Sequence, residues 1–532
     1  MSRKIKIIVW GIWFLMLGCK DVNTSVEETA MTETATTTLS EEQLYRPNFH
    51  FTPKANWMND PNGMFYLDGI YHLFFQHYPD GNKWGPMHWG HATSTDLILW
   101  KEQPIALYPD ELGYIFSGSA VVDKNNTSGF GDGKKIPVVA IFTYHDPMKE
   151  KEGKIDVETQ GIAYSLDNGK TWTKYEKNPV LDNPGIRDFR DPKVIWDPAH
   201  NQWVMALAAD DRTQFYGSKN LKDWEFLSEF GMGIGAHGGT WECPDFFPMQ
   251  VDGTSEIKWV LLQSLNPGGP NGGSGTQYFV GDFDGKTFKI DQIFSDQLST
   301  SKAVWLDHGK DNYAGVTWDN VPNGKRYFIG WMSNWLYARD VPTEAWRSST
   351  TLARELKLVF NNGSYKLFSN PVNQLKSYYG ATETLKNIVF KDKTVLLDNQ
   401  NIDLSKLVVD IELKEMKDDT YTFTMENAKG NQLFFGIDNK EKYVFIDRKK
   451  SGRIDFSETF SDKVSKLALD QSYKTINLKL VLDKTSVEIF INGGEKAFTE
   501  LFFPEAPYQT LSVESSNKDC KIALLKANEL NF

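Results

Sequence analysis

The stretch Asn56-Trp57-Met58-Asn59-Asp60-Pro61-Asn62-Gly63 carries the most information about this chain. It places one carboxylate, Asp60, between amide side chains and just before a Pro-Asn-Gly sequence that is typical of a turn. Such a turn can hold a side chain at the mouth of a pocket. An aromatic ring beside amides and a carboxylate suits a ligand with apolar ring faces and hydroxyl edges, such as a sugar. An Asp before a turn is more often only a turn former, so this stretch does not establish a site by itself.

Two further carboxylates occur in similar company later in the chain. Arg190 directly precedes Asp191, where its charge would favour the ionised carboxylate and could bind ligand oxygens, although a surface ion pair would have the same sequence. Glu242 lies between Trp241 and Cys243, an apolar setting in which desolvation would raise its pKa, unless it is a simple edge-strand residue. Together the three acidic residues supply what glycoside cleavage requires: a nucleophile, an acid and a group that binds ring hydroxyls.

The bulk composition excludes several classes of protein. The 532 residues are too many for one ordinary core, so two folded domains are expected. The 17 Trp residues are typical of sugar-binding surfaces and equally of a large β core. The net charge of −12, without a basic stripe, argues against a nucleic-acid partner and favours a neutral substrate. The cysteines, Cys19, Cys243 and Cys520, are not clustered as structural zinc requires, and their positions predict no disulfide.

The N-terminal sequence predicts an exported protein. Basic residues precede an apolar run over 7–17, which is too short to span a bilayer, and Gly18-Cys19 follows it. We predict a lipoprotein-type signal peptide over 1–19, a lipid anchor on Cys19 and a disordered, Thr- and Glu-rich tether over 20–43. The protein would then be anchored to the outer membrane or cell surface, with no other membrane contact. A plain secretory leader is the alternative, and it would give a periplasmic or secreted protein.

Residues 44–358 predict an all-β domain. Short apolar runs separated by turn residues occur at 71–75, 138–142, 203–207, 259–262 and 327–331. A turn followed by an aromatic residue also recurs, at intervals of roughly 50 to 70 residues, which suits the blades of a β-propeller with about five blades. Turns before aromatics are also common in other all-β proteins. The recurring strings are Ser94-Thr95-Asp96-Leu97 before Trp100, Ser165-Leu166-Asp167-Asn168-Gly169 before Trp172, Ser218-Lys219-Asn220-Leu221 before Trp224, and Gly281-Asp282-Phe283-Asp284-Gly285 before Phe288.

The C-terminal part predicts a second β domain. A more polar segment over 359–384, which includes Asn361-Asn362-Gly363, is interpreted as a linker. Residues 385–532 alternate strands with charged turns, as in a β-sandwich. Because the last Trp of the chain is Trp346, we expect this domain to be a support rather than a strong sugar binder.

Seven strings in the first domain resemble glycoside hydrolase family 32, which includes invertases, inulinases and levanases. They are Trp57-Met58-Asn59-Asp60-Pro61-Asn62-Gly63, Phe74-Phe75-Gln76, Trp89-Gly90-His91-Ala92, Phe116-Ser117-Gly118-Ser119, Phe189-Arg190-Asp191-Pro192, Trp241-Glu242-Cys243-Pro244, and Pro342-Thr343 with Trp346-Arg347. The resemblance implies a five-bladed β-propeller over 44–358, followed by a C-terminal β-sandwich. It also implies that no cofactor or metal is needed.

The resemblance also implies a role for each acidic residue. Asp60 would be the nucleophile, Glu242 the acid and then the base, and Asp191 a stabiliser of the transition state. The outcome would be retention, for which the carboxyl groups of the nucleophile and the acid lie about 5–5.5 Å apart. Matching positions imply a fructose pocket lined by Asn59, Gln76, Trp84, Phe116, Ser117 and Arg190, with Trp57 and Trp335 as walls.

Other strings favour the exo-acting inulinase and levanase branch, so we predict release of terminal β-D-fructose from fructans and also from sucrose. An invertase and a fructosyltransferase are alternatives, and a non-catalytic fructan-binding surface lipoprotein is an alternative of another class. The chain departs from its relatives at Ala353, where Pro is frequent, and at Asn312, where Phe is common. We expect the first change to affect packing and the second to affect a pocket edge. The sequence does not define an oligomeric state.

Overall fold

The computed structural model describes residues 39–390, 392–515 and 520–532, so the predicted signal peptide, Cys19 and most of the predicted tether lie outside the described residues. The described part is all-β, as predicted. Its helical elements are short: α1 Glu41–Tyr45, α2 Pro147–Lys151, α3 Gln292–Ser301, and the 3-10 turns Pro322–Gly324 and Asn373–Tyr378. Among the described residues, no helix has the length and apolar character needed to cross a bilayer. The end of the predicted tether is ordered, because Ser40 caps α1 in a capping box with Gln43.

Four antiparallel sheets of consecutive strands form the first part of the chain. Sheet 1 contains β1 Asn56–Leu67, β2 Ile70–Tyr78, β3 His88–Ser94 and β4 Lys101–Leu107. Sheet 2 contains β5 Tyr114–Val122, β6 Val138–His145, β7 Glu158–Ser165 and β8 Thr173–Lys174. Sheet 3 contains β9 Phe189–Asp197, β10 Gln202–Ala209, β11 Arg212–Ser218 and β12 Glu225–Phe230. Sheet 4 contains β13 Thr240–Gln250, β14 Ile257–Asn266, β15 Gly275–Phe283 and β16 Phe288–Ile290.

A fifth sheet completes this part and connects it to its beginning. Sheet 5 contains β17 Tyr313–Thr317, β18 Arg326–Met332, β20 Ser349–Thr350, β21 Arg354–Asn361 and β22 Ser364–Pro371. The short strand β19, Trp346–Arg347, leaves this sequence and pairs in parallel with β1 of sheet 1. Backbone hydrogen bonds therefore join the chain segment between β18 and β20 to sheet 1.

The first strands of the five sheets are neighbours in space. β1 contacts β5, β5 contacts β9, β9 contacts β13, β13 contacts β17, and β17 contacts β1 again, so these strands form a closed ring. The five apolar runs found in the sequence are the second strands, β2, β6, β10, β14 and β18. A second strand pairs on both edges and is covered on both faces, and β6 is buried along its whole length. This explains why these strands are continuous apolar runs rather than alternating ones.

The recurring turn-plus-aromatic strings all connect the third strand of a sheet to the fourth. In sheet 1, Ser94 Oγ accepts from the backbone N–H of Leu97, and Asp96 Oδ1 accepts from that of Ile98. Ser218 and Asn220 repeat this hydrogen-bond pattern in sheet 3. The aromatic that follows packs against a neighbouring sheet; Trp172 of sheet 2, for example, makes an edge contact with Phe74 of sheet 1.

Two six-stranded sheets form the C-terminal part and pack face to face around a common apolar core. The strands are β23 Tyr379–Phe390, β24 Thr394–Asp398, β25 Leu407–Lys414, β26 Thr420–Glu426, β27 Gln432–Asp438, β28 Tyr443–Lys450, β29 Ser465–Ala468, β30 Thr475–Asp483, β31 Ser486–Ile491, β32 Lys496–Leu501, β33 Thr510–Ser515 and β34 Cys520–Leu530. Their orders are β23-β34-β25-β30-β31-β32 and β24-β33-β26-β27-β28-β29. This is the β-sandwich that the sequence predicted.

The segment 359–384, which we expected to be a linker, contains β22 and the beginning of β23. Asn362 and Gly363 have positive φ angles of 49° and 73°, and they form the hairpin turn between β21 and β22. The polar Asn-Gly sequence is therefore a turn within sheet 5. The connection between the two parts of the chain is the short stretch around the 3-10 turn Asn373–Tyr378.

Candidate active site

Irregular pairing in the ring of first strands positions the three predicted acidic residues. Each first strand has a register shift against the second strand of its sheet: between Met58 and Pro61, Ile115 and Gly118, Arg190 and Lys193, Glu242 and Asp245, and Tyr313 and Val316. Asp191 and Cys243 also have positive φ angles of 64° and 45°. Bulges and such backbone angles redirect side chains and are frequent beside functional sites.

These side chains meet in one cavity of about 440 Å³. Its size is that of a small-ligand site. It is lined by Asn59, Asp60, Gln76, Trp84, Phe116, Ser117, His145, Glu150, Glu158, Asp188, Arg190, Asp191, Thr240, Glu242, Asn266, Trp335 and Arg339. The same cavity therefore brings together Asp60 of β1, Asp191 of β9 and Glu242 of β13.

Asp60 is held by neutral hydrogen-bond donors. Ser117 Oγ donates to Asp60 Oδ2 at 2.8 Å, and Asn59 Nδ2 donates to Asp60 Oδ1 at 3.0 Å. Asn59 is itself fixed, because the Trp57 indole N–H donates to its Oδ1 at 2.7 Å. These bonds leave the carboxylate oriented but without a cation partner among the described residues.

Cys243 connects Asp60 to Asp191. Its Sγ lies 3.5 Å from Asp60 Oδ2 and 3.5 Å from Asp191 Oδ2, and its backbone N–H donates to Asp191 Oδ2 at 2.9 Å. The positive φ angle of Cys243 turns this N–H towards Asp191. Burial raises the pKa of the Cys243 thiol well above its usual range, so the sulfur acts here as a neutral contact.

Glu242 has two strong donors. Arg190 Nη2 donates to Glu242 Oε1 at 3.0 Å, and the Tyr313 hydroxyl donates to Glu242 Oε2. Arg190 also binds Asp188 Oδ1 at 2.5 Å and Glu158 Oε1 at 3.1 Å, so a single guanidinium contacts three carboxylates. A guanidinium with several donors is suited to this geometry.

Burial raises the pKa of all three acidic residues, and the charge of a neighbouring carboxylate adds to the shift for Asp191 and Glu242. Desolvation raises the pKa of Asp60 and of Glu242, although Arg190 and Tyr313 act in the opposite direction on Glu242. Desolvation raises the pKa of Asp191 to about 8, with the charges of Asp60 and Glu242 as further causes. Three close carboxyl groups titrate as a coupled set, and these raised pKa values favour retention of a proton within the site.

Seven of the eight side chains predicted to bind substrate line the cavity: Asn59, Gln76, Trp84, Phe116, Ser117, Arg190 and Trp335. The amide nitrogen of Gln76 is buried and has no partner among the described residues, so a donor is free for a ligand. Trp57 differs from the expectation. It is fully buried behind the wall, where it stacks on Trp335 with ring centroids 5.9 Å apart.

Sequence reasoning missed eight residues at or beside the site: His145, Glu150, Glu158, Asp188, Thr240, Asn266, Tyr313 and Arg339. Most lie at strand ends or in loops, and their sequences contain no local motif. Only Asp188 could have been suspected from the sequence, because it lies two residues before Arg190 in a motif that already pointed to the site. Among the described residues, no group of three or more His, Cys, Asp or Glu is arranged to hold a metal ion.

The two departures from the expected pattern lie away from the cavity wall. Asn312 is buried and donates to Asp307 at 3.1 Å rather than shaping a pocket edge, which corrects our expectation. Ala353 precedes Arg354, which is fully buried and binds Asp307 and Glu488. Ala353 packs in an apolar cluster that includes Val408 and Phe490 of the sandwich, and Asp307 also accepts from Thr499 of the sandwich.

Comparisons with known proteins agree with this arrangement. Residues 50–371 match the N-terminal domain of glycosyl hydrolases family 32, and residues 374–529 match the C-terminal domain of the same family. The chain belongs to glycoside hydrolase family 32. The family predicted from the seven strings is thus confirmed, and the protein is a glycosidase.

Three relatives show how far the similarity extends. A levanase of Bacillus subtilis is 44% identical over 493 residues, which are 92% of this chain and 71% of that protein. An extracellular exo-inulinase of Aspergillus niger is 40% identical over 494 residues, with coverage of 87% and 90%. The crystal structure of an exo-inulinase from Aspergillus awamori superposes with a TM-score of 0.82 at 35% identity, and the match covers 92% of this chain and 99% of that one.

Proposed function

We propose that this family 32 enzyme releases terminal β-D-fructose from fructans, and also cleaves sucrose, by double displacement with retention. The observation that carries the proposal is the convergence of Asp60, Asp191 and Glu242, from three separate sheets, around one cavity with a free donor on Gln76. The similarity to a levanase and to exo-inulinases supports fructans as the substrate class. All three acidic residues are present, which disfavours a protein that only binds fructan.

In the first step, an oxygen of the Asp60 carboxylate attacks the anomeric carbon of the terminal fructosyl unit. The bond from this carbon to the glycosidic oxygen breaks, its electron pair stays on the oxygen, and the Glu242 carboxyl group supplies the proton. The hydrogen bonds from Ser117 and Asn59 orient the attacking carboxylate. The product of this step is a fructosyl ester of Asp60 and a free leaving group.

In the second step, the Glu242 carboxylate takes a proton from water as the water oxygen attacks the same carbon. The ester bond to Asp60 breaks, and Glu242 is protonated again for the next cycle. Two inversions give retention. The alternative acceptor is the hydroxyl group of another sugar, which would make the enzyme a fructosyltransferase.

Arg190 and Asp191 act on the charge of the site rather than as covalent partners. Arg190 binds Glu242 directly and favours its carboxylate form, which the second step requires. Asp191 shares the Cys243 sulfur with Asp60 and touches no cation among the residues that the structure describes, and its role is to hold fructose hydroxyls and stabilise the positive charge that develops on the ring.

Digestion of levan, inulin and sucrose, followed by chromatography of the products over time, tests the proposal. Free fructose as the first and main product from levan or inulin is the expected result. A ladder of oligomers would mean endo-action, activity on sucrose alone would mean an invertase, and longer products at high sucrose would mean transfer. The absence of fructose from all three substrates would refute the proposal.

We also propose that the five sheets are the five blades of a β-propeller, the catalytic domain expected over 44–358, with β22 as its last strand. The closed ring of first strands supports this interpretation. A sandwich domain expected over 385–532 would follow, starting somewhat earlier with β23. Limited proteolysis would test the division, which predicts preferential cleavage close to the 3-10 turn Asn373–Tyr378.

Export and lipidation at Cys19 complete the proposal and rest on the N-terminal sequence. The relatives named extracellular support export. Labelling of the exported protein with radioactive palmitate, with Cys19→Ser as the control, tests the anchor. Label that persists in the variant would place the acylation elsewhere, and no label in either protein would mean a secreted enzyme without this anchor.

A further inference from the structure

His145 ends β6 and lies directly opposite Glu158, the first residue of β7. Its Nδ1 lies 3.3 Å from Glu158 Oε1, and its Nε2 lies 3.2 Å from Glu150 Oε2. An ionised carboxylate only accepts hydrogen bonds, so a ring with carboxylates on both nitrogens needs a proton on each of them. The geometry therefore calls for an imidazolium at this position.

The Glu158 carboxylate contacts both His145 and Arg190. The Glu158 side chain is only 3% exposed, and its Oε1 also accepts from Arg190 Nη1 at 3.1 Å. The same guanidinium binds Glu242 through Nη2 at 3.0 Å. The buried chain of contacts therefore runs from His145 through Glu158 and Arg190 to the proposed acid, and alternates in sign along its length.

We propose that His145 is a positioning residue that, as an imidazolium, neutralises Glu158 and so keeps the Arg190 charge on Glu242. This inference rests on the proposed function of Glu242 as acid and base. Without the imidazolium, Arg190 would be the only cation that pairs with Glu158. The attraction between Arg190 and Glu242 would then be weaker. Arg190 cannot lose its own proton under these conditions, so the adjustable charge in this chain is that of His145.

The surroundings of the His145 ring agree with a cation. Phe116, a wall of the cavity, stacks on the ring with centroids 4.4 Å apart, and Tyr114 lies beyond at 6.3 Å. The titratable or charged groups that face the ring are Glu158 from β7, Glu150 from α2 and Tyr114 from β5, with Arg190 of β9 behind Glu158. Burial alone would lower the pKa of His145, but the bonds to Glu158 and Glu150 raise it above its usual value.

The test is the pH profile of fructose release from sucrose for the full-length enzyme and four variants. In His145→Gln, Arg190 is drawn towards Glu158 and offers less positive charge to Glu242. The pKa of Glu242 therefore rises, and the alkaline limb of kcat/KM moves to higher pH. We expect kcat to fall about 10- to 100-fold because the acid is displaced, with a smaller change in KM. Glu158→Gln removes negative charge from the same chain of contacts and should move the alkaline limb to lower pH.

The double variant His145→Gln with Glu158→Gln separates charge from packing. It restores the local charge balance, so the alkaline limb should return to the wild-type position and part of the lost kcat should be recovered. His200→Gln is the matched control, because His200 pairs with Asp197 at 2.6 Å outside the cavity wall, and its profile should equal that of the wild type. Circular dichroism and the melting temperature check that each variant is folded.

Three results would overturn the inference: an unshifted alkaline limb in His145→Gln, shifts of the same sign in the two single variants, or a double variant that is worse than both. A loss confined to KM would mean that His145 binds substrate directly. If the wild type releases no fructose at any pH, the proposed function fails instead, and the two failures are thus distinguishable.

Discussion

Two regions of this protein bury many charged groups, and the pKa values of their buried carboxyl groups shift in opposite directions. At the contact between the five sheets and the sandwich, the carboxylates of Asp307, Asp483 and Glu488 each touch a basic side chain. His50 binds Asp483 and Glu488, both at 2.8 Å, and Arg354 binds Asp307 at 2.8 Å and also Glu488. In the cavity, Asp60 and Asp191 contact no cation among the described residues. We call the first group, His50, Asp307, Arg354, Asp483 and Glu488, the interface network.

The pKa values follow from this difference in pairing. Burial alone would raise the pKa of Asp307, Asp483 and Glu488, but the charges of Arg354 and His50 lower it below the ordinary value. Burial raises the pKa of Asp60, Asp191 and Glu242; the charge of Asp60 adds to the shifts of the other two, and Arg190 offsets the shift of Glu242 only in part. In the interface network the pairing with a basic side chain outweighs burial, whereas in the cavity burial outweighs pairing, so the three acidic groups of the cavity bind protons more readily than free carboxyl groups do.

Replacing the proposed nucleophile should separate the two regions most strongly. Asp60→Asn keeps the shape and the hydrogen bond from Ser117 but removes the nucleophile, so kcat should fall by a factor on the order of 10⁵. Because the substitution also removes an unpaired buried charge, the melting temperature should stay the same or rise. Fructose release and thermal unfolding measure the two effects. Asp132→Asn, at an exposed loop carboxylate, is the control; a large loss of stability in Asp60→Asn would contradict the comparison.

Removing a cation from the interface network should do the reverse. Arg354→Met leaves Asp307 and Glu488 buried with one partner fewer, which should lower the free energy of unfolding by about 3 to 5 kcal/mol. The kcat of the folded fraction should not change, because Arg354 does not line the cavity. Urea denaturation and active-site titration check both expectations. A fall in kcat under conditions where all of the variant is folded would mean that the contact with the sandwich also shapes the site.

The pH dependence of stability offers a finer test of the interface network. Both ring nitrogens of His50 face carboxylates, which raise its pKa from 6.5 to about 9 although burial opposes the shift. A raised pKa in the folded state means stability that is fully present below pH 6.5 and is lost as the pH rises towards 9. The contribution is about 3 kcal/mol at its maximum, since one pKa unit corresponds to 1.36 kcal/mol.

His50→Gln should therefore be less stable than the wild type at pH 6, and the difference should shrink by pH 9. The lowered pKa values of Asp307, Asp483 and Glu488 act at the other end, where their stabilisation disappears as the pH falls below the ordinary carboxylate range. Denaturation curves between pH 4 and pH 9 measure both limbs. A difference that stays constant over this range would mean that His50 is uncharged in the folded protein.

The sequence predicted the parts of this molecule that depend on local pattern. The second strands appeared as continuous apolar runs because they are covered on both faces, and the turn-plus-aromatic strings marked the connection to the fourth strand. Short motifs with a carboxylate also marked three of the strands that form the ring. The polar turn Asn362-Gly363 misled the prediction of the linker, because a hairpin turn and a domain boundary have the same composition.

The remaining features depend on contacts between residues that are distant in the chain. His145 and Glu158 are ordinary in sequence, and their importance comes from the β6–β7 hairpin, which brings them to Arg190. The interface network joins residues more than 100 positions apart, such as Arg354 and Glu488. Trp57 is buried behind the cavity wall and donates its indole N–H to Asn59, a placement that no local pattern indicates.

An exposed ion pair provides the smallest expected effect and the reference for the others. Arg453 Nε binds Asp455 Oδ1 at 3.2 Å, but the two side chains are 46% and 75% exposed. Water and ions screen such a pair, so Arg453→Met should change the free energy of unfolding far less than Arg354→Met does. Measured beside Arg354→Met under the same conditions, it tests whether burial, rather than the presence of an arginine–carboxylate pair, sets the size of the effect. Equal losses in the two variants would remove the basis for treating the interface network as special.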